Sequence, residues 1–243
     1  MLIYSKKKIV NIKRIQVGLN ATCFNATSSG ARQRFVGLYS EFMEKMHDFD
    51  FTVFEPIDFR VKNLFKDYSN VKYIRTTVPS HGRFHKLVTI NSFRKYLTNK
   101  NFTFFENFSL PSVTAPNAIN FHTIHDIRSL RGQCINPSVF LSKLIHHRCL
   151  HKNEKIITVS QSMKDEILSF FPKLNISVIY NGINRNNFQF DNCWTTKINQ
   201  NKFIFSVGHL EKRKNFKNLV LAYKILRNRG ITHKLIIAGR DCG

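Results

Sequence analysis

Acidic residues are scarce. The 243-residue chain has 15 Asp and Glu against 38 Lys and Arg, a formal net charge of +23. That balance excludes an acidic solvating segment and directs the surface toward polyanions: nucleic acid, anionic lipid head groups or phosphorylated substrates. Cysteine is sparse too. Cys23, Cys134, Cys149, Cys193 and Cys242 show no C-x-x-C spacing, which argues against a metal site or a disulfide framework and fits a reducing compartment. No apolar run approaches the ~20 residues that a membrane-spanning helix needs. Lys6, Lys7 and Lys8 lead only to Ile9-Val10 before Asn11, Lys13 and Arg14, so the apolar core of a signal peptide is missing. Secretion is not expected, and the protein is read as cytoplasmic, with peripheral attachment to an anionic membrane face compatible with its charge. The dinucleotide fingerprint G-x-G-x-x-G is also missing.

What remains is a folding composition, 42% hydrophobic and 13% aromatic, in a chain long enough for one full domain and part of another. The stretch Ser206 to Phe216 concentrates the chemistry. Phe203 to Val207 reads as an apolar strand, and Phe216, Leu219, Tyr223 and Leu226 recur at helical spacing, with Gly230 just past the end for a left-handed cap. Gly208, Lys212, Arg213 and Lys214 lie between them. With Asn215 as N-cap, free N–H groups and the positive end of the helix dipole would lie beside Arg213 and Lys214, which suits a phosphate.

The rest of the chain alternates strands and helices. Arg14 to Asn20 reads as a strand, Ala21 to Gly30 as a small-residue loop, and the residues from Ala31 as a helix with Phe35, Leu38, Tyr39, Phe42 and Met46 on one face. Further strands are expected at Phe49 to Phe54, Val71 to Ile74, Phe102 to Phe105, Asn117 to Ile124, Lys155 to Val159, Ile176 to Tyr180 and Lys234 to Ala238. Helices are expected at Arg83 to Leu97 and Pro137 to Leu150, and after Val159, where Ser162 with Asp165 matches a capping box and Pro172 ends the helix near Phe170. Such alternation predicts an α/β protein whose parallel sheet is covered on both faces and gathers ligands at the strand C-termini. At one of these rims stand His125 and Asp126, a histidine with an adjacent carboxylate to orient it.

Three spaced motifs carry a resemblance. Val159-Ser160-x-Ser162 with Ile167, then Val178-Ile179-x-Asn181-Gly182-Ile183, then Gly208-x-Leu210-x-x-Arg213-Lys214-Asn215 resemble, in that order, the retaining glycosyltransferases of family 4. The resemblance implies a GT-B fold: a complete N-terminal Rossmann-like domain over 1–184, a linker over 185–201, and over 202–243 the first βαβ portion of a second Rossmann-like domain that binds the nucleotide sugar. It implies transfer of a sugar, of hexosyltransferase type, from a nucleotide-diphosphate donor to a glycan or lipid-linked acceptor with retention, as in lipopolysaccharide or cell-surface polysaccharide synthesis. No cofactor and no metal are implied. His125 would face the transferred sugar, and Lys214 with Arg213 would contact the donor diphosphate. Gly208, His209, Asn215, Asn181, Gly182 and Arg240 would form the donor site, and Gly30, Ala31, Arg32 and Asp126 the acceptor or phosphate loop. His209 departs from the arginine common at its position. The E-x(7)-E segment of the family does not occur, so the chain is expected to be truncated within the donor-binding domain and inactive alone.

Another class stays open on charge alone: a basic protein that binds nucleic acid or an anionic membrane without catalysis. The 23 phenylalanines fall mostly at core-periodic positions, and no nucleic-acid-binding pattern accompanies them, so no specific nucleic acid is expected as partner. Donor base, donor sugar and acceptor leave no readable code.

Overall fold

The computed structural model describes residues 14–27, 29–81, 92–127, 144–145, 147–151, 155–183, 202–211 and 214–239. The chain divides into two compact units, Met1–Ile183 and Asn184–Gly243. The linker expected over 185–201 lies outside the described residues.

The first unit is built on a seven-stranded sheet. Its strands are β1 (Ile15–Asn20), β2 (Phe49–Glu55), β3 (Val71–Arg75), β4 (Phe104–Asn107), β5 (Ile119–Ile124), β6 (Lys155–Thr158) and β7 (Ile176–Val178). All neighbouring pairs are parallel, in the order β3-β2-β1-β4-β5-β6-β7. The order reverses between β1 and β4, the switch point at which open α/β sheets take their ligands.

Helix α1 (Gly30–Lys45) covers one face of β1 and β2, burying Phe35, Tyr39 and Met43 against Val17, Leu19, Phe51 and Val53. Met46, expected on that face, is instead the C-cap and is exposed. The opposite face buries Phe54, Phe93, Phe102 and Phe105. There Gly18 lets Phe105 lie directly on β1, since an added Cβ would come within 2.5 Å of Phe105 Cδ2. A third cluster joins Ile124, Ile156 and Ile176 to Ile167 and Phe171 of helix α2 (Gln161–Phe170) and its exit.

Element boundaries differ from the sequence expectation in instructive places. β4 begins two residues later than Phe102, because Phe102 turns into the core beside Phe105 before pairing starts. The cap of α2 is Ser160, whose hydroxyl accepts from Met163 N at 3.1 Å, and the expected Ser162–Asp165 box does not form. A side chain caps when its backbone is extended, and Ser160 has φ −159°. Asp165 instead accepts from Gln161 Nε2 at 2.8 Å. Of the two expected helices, the described parts at 92–97, 144–145 and 147–150 are helical. Residues 82–91 and 137–143 lie outside the described residues.

In the second unit β8 (Phe203–Val207) pairs in parallel with β9 (Lys234–Ala238), and helix α3 (Phe216–Asn228) connects them. Gly230 follows α3 with φ +86°, the left-handed conformation expected there. Tyr223 Oη donates to His233 O at 2.9 Å and ties the helix to the approach of β9.

Candidate functional site

At the C-terminal rim of the seven-stranded sheet, the crevice between β1 and β4 is closed by an amide network. Asn20 Nδ2 donates to Asn107 Oδ1 at 3.0 Å, and Thr22 Oγ1 donates to Asn20 Oδ1 at 2.7 Å. Asn107 in turn donates to Val113 O at 2.9 Å and accepts from Val113 N at 3.1 Å. These buried groups are paired, so they hold the two exit loops in place rather than wait for a ligand. Beyond them Ser29 caps α1, accepting from Arg32 N at 3.2 Å. Arg32 Nη1 donates to Asn25 O at 2.7 Å and Ala26 O at 2.9 Å. Of the expected phosphate-loop residues, Arg32 is thus bound to its own loop and Ala31 packs on the core. Gly30 opens the helix with no atom within 4 Å of an added Cβ.

His125 stands where β5 ends, half-buried, with Asp126 exposed beside it. Burial, and after it the positive charge of Arg34, push the imidazole down to about 4 against the opposing pull of Asp126. His125 is therefore uncharged at neutral pH. Arg34 was not singled out by sequence reasoning, although it lies one helical turn after Gly30 and so on the rim side of α1. Its Nη1 donates to Tyr180 O and to Asn181 Oδ1, each at 3.1 Å. The fold of this unit thus brings Arg34, His125, Asp126 and Asn181 to one rim. Gly182, next to Asn181, has no atom within 4 Å of an added Cβ.

Arg34 also lines a cavity of about 270 Å³ with Leu38, Phe42, Phe104, Glu106 and Phe121. Glu106 lines this cavity and is half-buried. Burial pushes its carboxyl above the ordinary value, against hydrogen bonds from Thr123 and Tyr39 and the charge of Arg34. Thr123 Oγ1 donates to it at 2.5 Å, and Tyr39 Oη donates to its other oxygen.

The second unit places its residues at the exits of β8 and β9. Gly208 N donates to Ala238 O at 2.9 Å, and Gly239 passes so close that an added Cβ would fall 1.8 Å from Gly208 O. Only glycine fits that approach. The Lys214 side chain lies over Gly208, its Cε 3.8 Å from where a Cβ would stand, and among the described residues its Nζ makes no ion pair. His209 is exposed.

Asn215 occupies the N-cap position of α3 but does not cap it. Its backbone is left-handed, φ 55° and ψ 34°, and its side chain makes no cap hydrogen bond. The expected cap is corrected on that account. The carbonyl of Asn215 instead takes Asn218 N at 3.1 Å and Leu219 N at 3.3 Å, while earlier N–H groups of the first turn gain no side-chain acceptor from the cap. Arg213 and Arg240 lie outside the described residues. Among the described residues no group of three or more His, Cys, Asp or Glu could hold a metal, and no helix is long and apolar enough to cross a membrane.

This architecture is the α/β fold of GT-B type expected from the motifs. The solved structure of sucrose-phosphate synthase from Thermosynechococcus elongatus superposes with a TM-score of 0.67 at 14% identity, over 93% of this chain and 62% of that one. A glycosyltransferase from Rickettsia africae superposes with a TM-score of 0.53 at 16% identity, over 94% of this chain and 69% of that one. In sequence, an uncharacterised glycosyltransferase of Methanocaldococcus jannaschii is 37% identical over 113 residues, 40% of this chain. The aligned segment spans 28% of that relative's length. No family model matches the chain.

Proposed function

We propose that the chain is part of a retaining glycosyltransferase similar to family 4, one that moves a hexose from a nucleotide-diphosphate sugar to a glycan or lipid-linked acceptor. The observation that carries this reading is the exit of β8. Two glycines bring backbone together beneath Lys214, and the adjoining helix begins with N–H groups that its N-cap side chain leaves unbound. A cation, a helix N-terminus and a surface without side chains suit a diphosphate. The names of the relatives agree with that chemistry.

Breaking the glycosidic bond to the diphosphate builds negative charge on the leaving oxygen. In this reading Lys214 stabilises that charge together with Arg213 and the start of α3, without a metal. Gly208, His209, Asn215 and Arg240 complete the donor side. His125 meets the transferred sugar as an uncharged imidazole, able to accept or donate a hydrogen bond, and Asp126 orients it. Asn181, Gly182, Gly30 and Ala31 shape the rim around it. The domain division at 184 and 202, a cytoplasmic site of action at the membrane face and a role in lipopolysaccharide or surface polysaccharide synthesis belong to the same proposal. Lysines near an anionic leaflet gain about 1 kcal/mol each.

The test is nucleoside diphosphate binding to the 243-residue chain by calorimetry. Loss of a contact of this kind costs ~3 kcal/mol where charge is fully developed, so Lys214→Ala should weaken binding at least about tenfold, while Lys214→Arg should largely preserve it. Equal affinity in wild type and Lys214→Ala, across uridine, guanosine and adenosine diphosphates, removes the assignment.

A further inference from the structure

Arg34 is the residue of the unit 1 rim that the motifs did not mark. It projects from the first turns of α1, and its guanidinium grips a backbone carbonyl and a side-chain carbonyl on the segment after β7. Among the described residues it forms no ion pair. Its charge reaches His125 at the exit of β5 and Glu106 on β4.

We propose that Arg34 is the positioning residue of this rim: anchored on Tyr180 and Asn181, it fixes the segment after β7 against α1 and keeps a permanent cation at the rim where His125 stands. The meaning of this for sugar transfer rests on the reading above; the geometry does not. One guanidinium nitrogen, Nη1, donates to both acceptors, and the guanidinium keeps its charge at any working pH. Among the described residues, the groups that act electrostatically on His125 come from two elements, Arg34 from α1 and Asp126 from its own strand exit. Asp126 favours the imidazolium, whereas burial and Arg34 oppose it. Burial is the larger of the two lowering causes, and Arg34 adds to it against the pull of Asp126.

The experiment is a pH titration of the 243-residue chain labelled with ¹³C-histidine and followed by NMR, with the His125 signal identified by its loss in His125→Gln. The wild-type midpoint is expected near 4, against an ordinary 6.5. Arg34→Gln should move it upward, and Arg34→Lys should leave it lower than Arg34→Gln does. An unchanged midpoint in Arg34→Gln overturns the electrostatic part of the proposal.

Asn181→Ala tests the anchorage without touching the charge, and it decides the matter if Arg34→Gln fails to fold. Amide exchange over residues 176–183 should quicken while the His125 midpoint stays low. Unaltered exchange in that segment overturns the anchorage. Neither measurement uses a donor or an acceptor, so this proposal and the glycosyl-transfer reading fail independently.

Discussion

Gly18 shows how much one hydrogen atom can decide. It lies in β1, paired with Phe105 of β4, and the space a Cβ would need is filled by Phe105 Cδ2 at 2.5 Å and Phe102 Cδ1 at 3.2 Å. Phe105 is fully buried and packs against Phe54, Phe93 and Phe102, so it cannot swing out to relieve the contact. Gly18→Ala should therefore cost about 1–3 kcal/mol, the usual penalty of overpacking. It would appear as a lower urea midpoint at unchanged slope, and an unaltered midpoint would show that the aromatic cluster yields more than its geometry implies. At this scale the sequence was legible where chemistry is local, as in His125 next to Asp126. It was silent where partners are distant. Arg34 meets Tyr180 and Asn181 across 146 and 147 positions, and Glu106 meets Tyr39 across 67. No spacing rule reaches that far.

At the level of elements, most strands and helices were legible because strands of a parallel sheet are buried on both faces and read as short apolar runs between helical patterns. Boundaries slipped where several apolar residues adjoin, as at Phe102, Phe104 and Phe105. Caps slipped where backbone conformation decides among polar neighbours. Ser29 and Ser160 cap from extended backbone, whereas Asn215 is left-handed and does not cap. The exits of β8 and β9 allow a sharp test of the element as a unit. A Cβ at position 239 would meet the carbonyl oxygen and carbon of Gly208 at 1.8 and 2.7 Å, and backbone cannot rotate away as a side chain can. Gly239→Ala should part the two strand ends and break the bond from Gly208 N to Ala238 O. Hydrogen exchange should quicken in peptides covering 203–210 and 234–239 and stay unchanged in β1 to β7. Retained protection at Gly208 would mean that the strands can separate without losing their pairing.

For the whole molecule, two opposed terms decide how the chain behaves in solution. Among the described residues of the second unit none is buried. α3 covers one face of the β8–β9 pair, and the other presents Phe203, Phe205, Val207 and Ile236, with Phe205 and Val207 56% and 71% exposed. Val220, Leu221 and Ile225 of α3 are exposed as well. Apolar surface of this extent favours association by about 25 cal/mol per Å² removed from water, and strand edges offer unpaired backbone. Against it stands the net charge of +23, which drives copies apart until salt screens it, over about 10 Å at 0.1 M and about 3 Å at 1 M. The two terms respond to salt in opposite ways, and that makes them separable. The 243-residue chain should self-associate, with a mass by light scattering that rises with protein concentration and rises further from 0.1 to 1 M salt. If association came instead from contacts between opposite charges, salt would dissolve it. Phe205→Ser combined with Val207→Thr removes apolar area and leaves the charge untouched, so it should restore the monomer at high salt. A wild-type chain that stays monomeric at 1 M salt would mean that this face is too small, or too well shielded by its basic surroundings, to drive association.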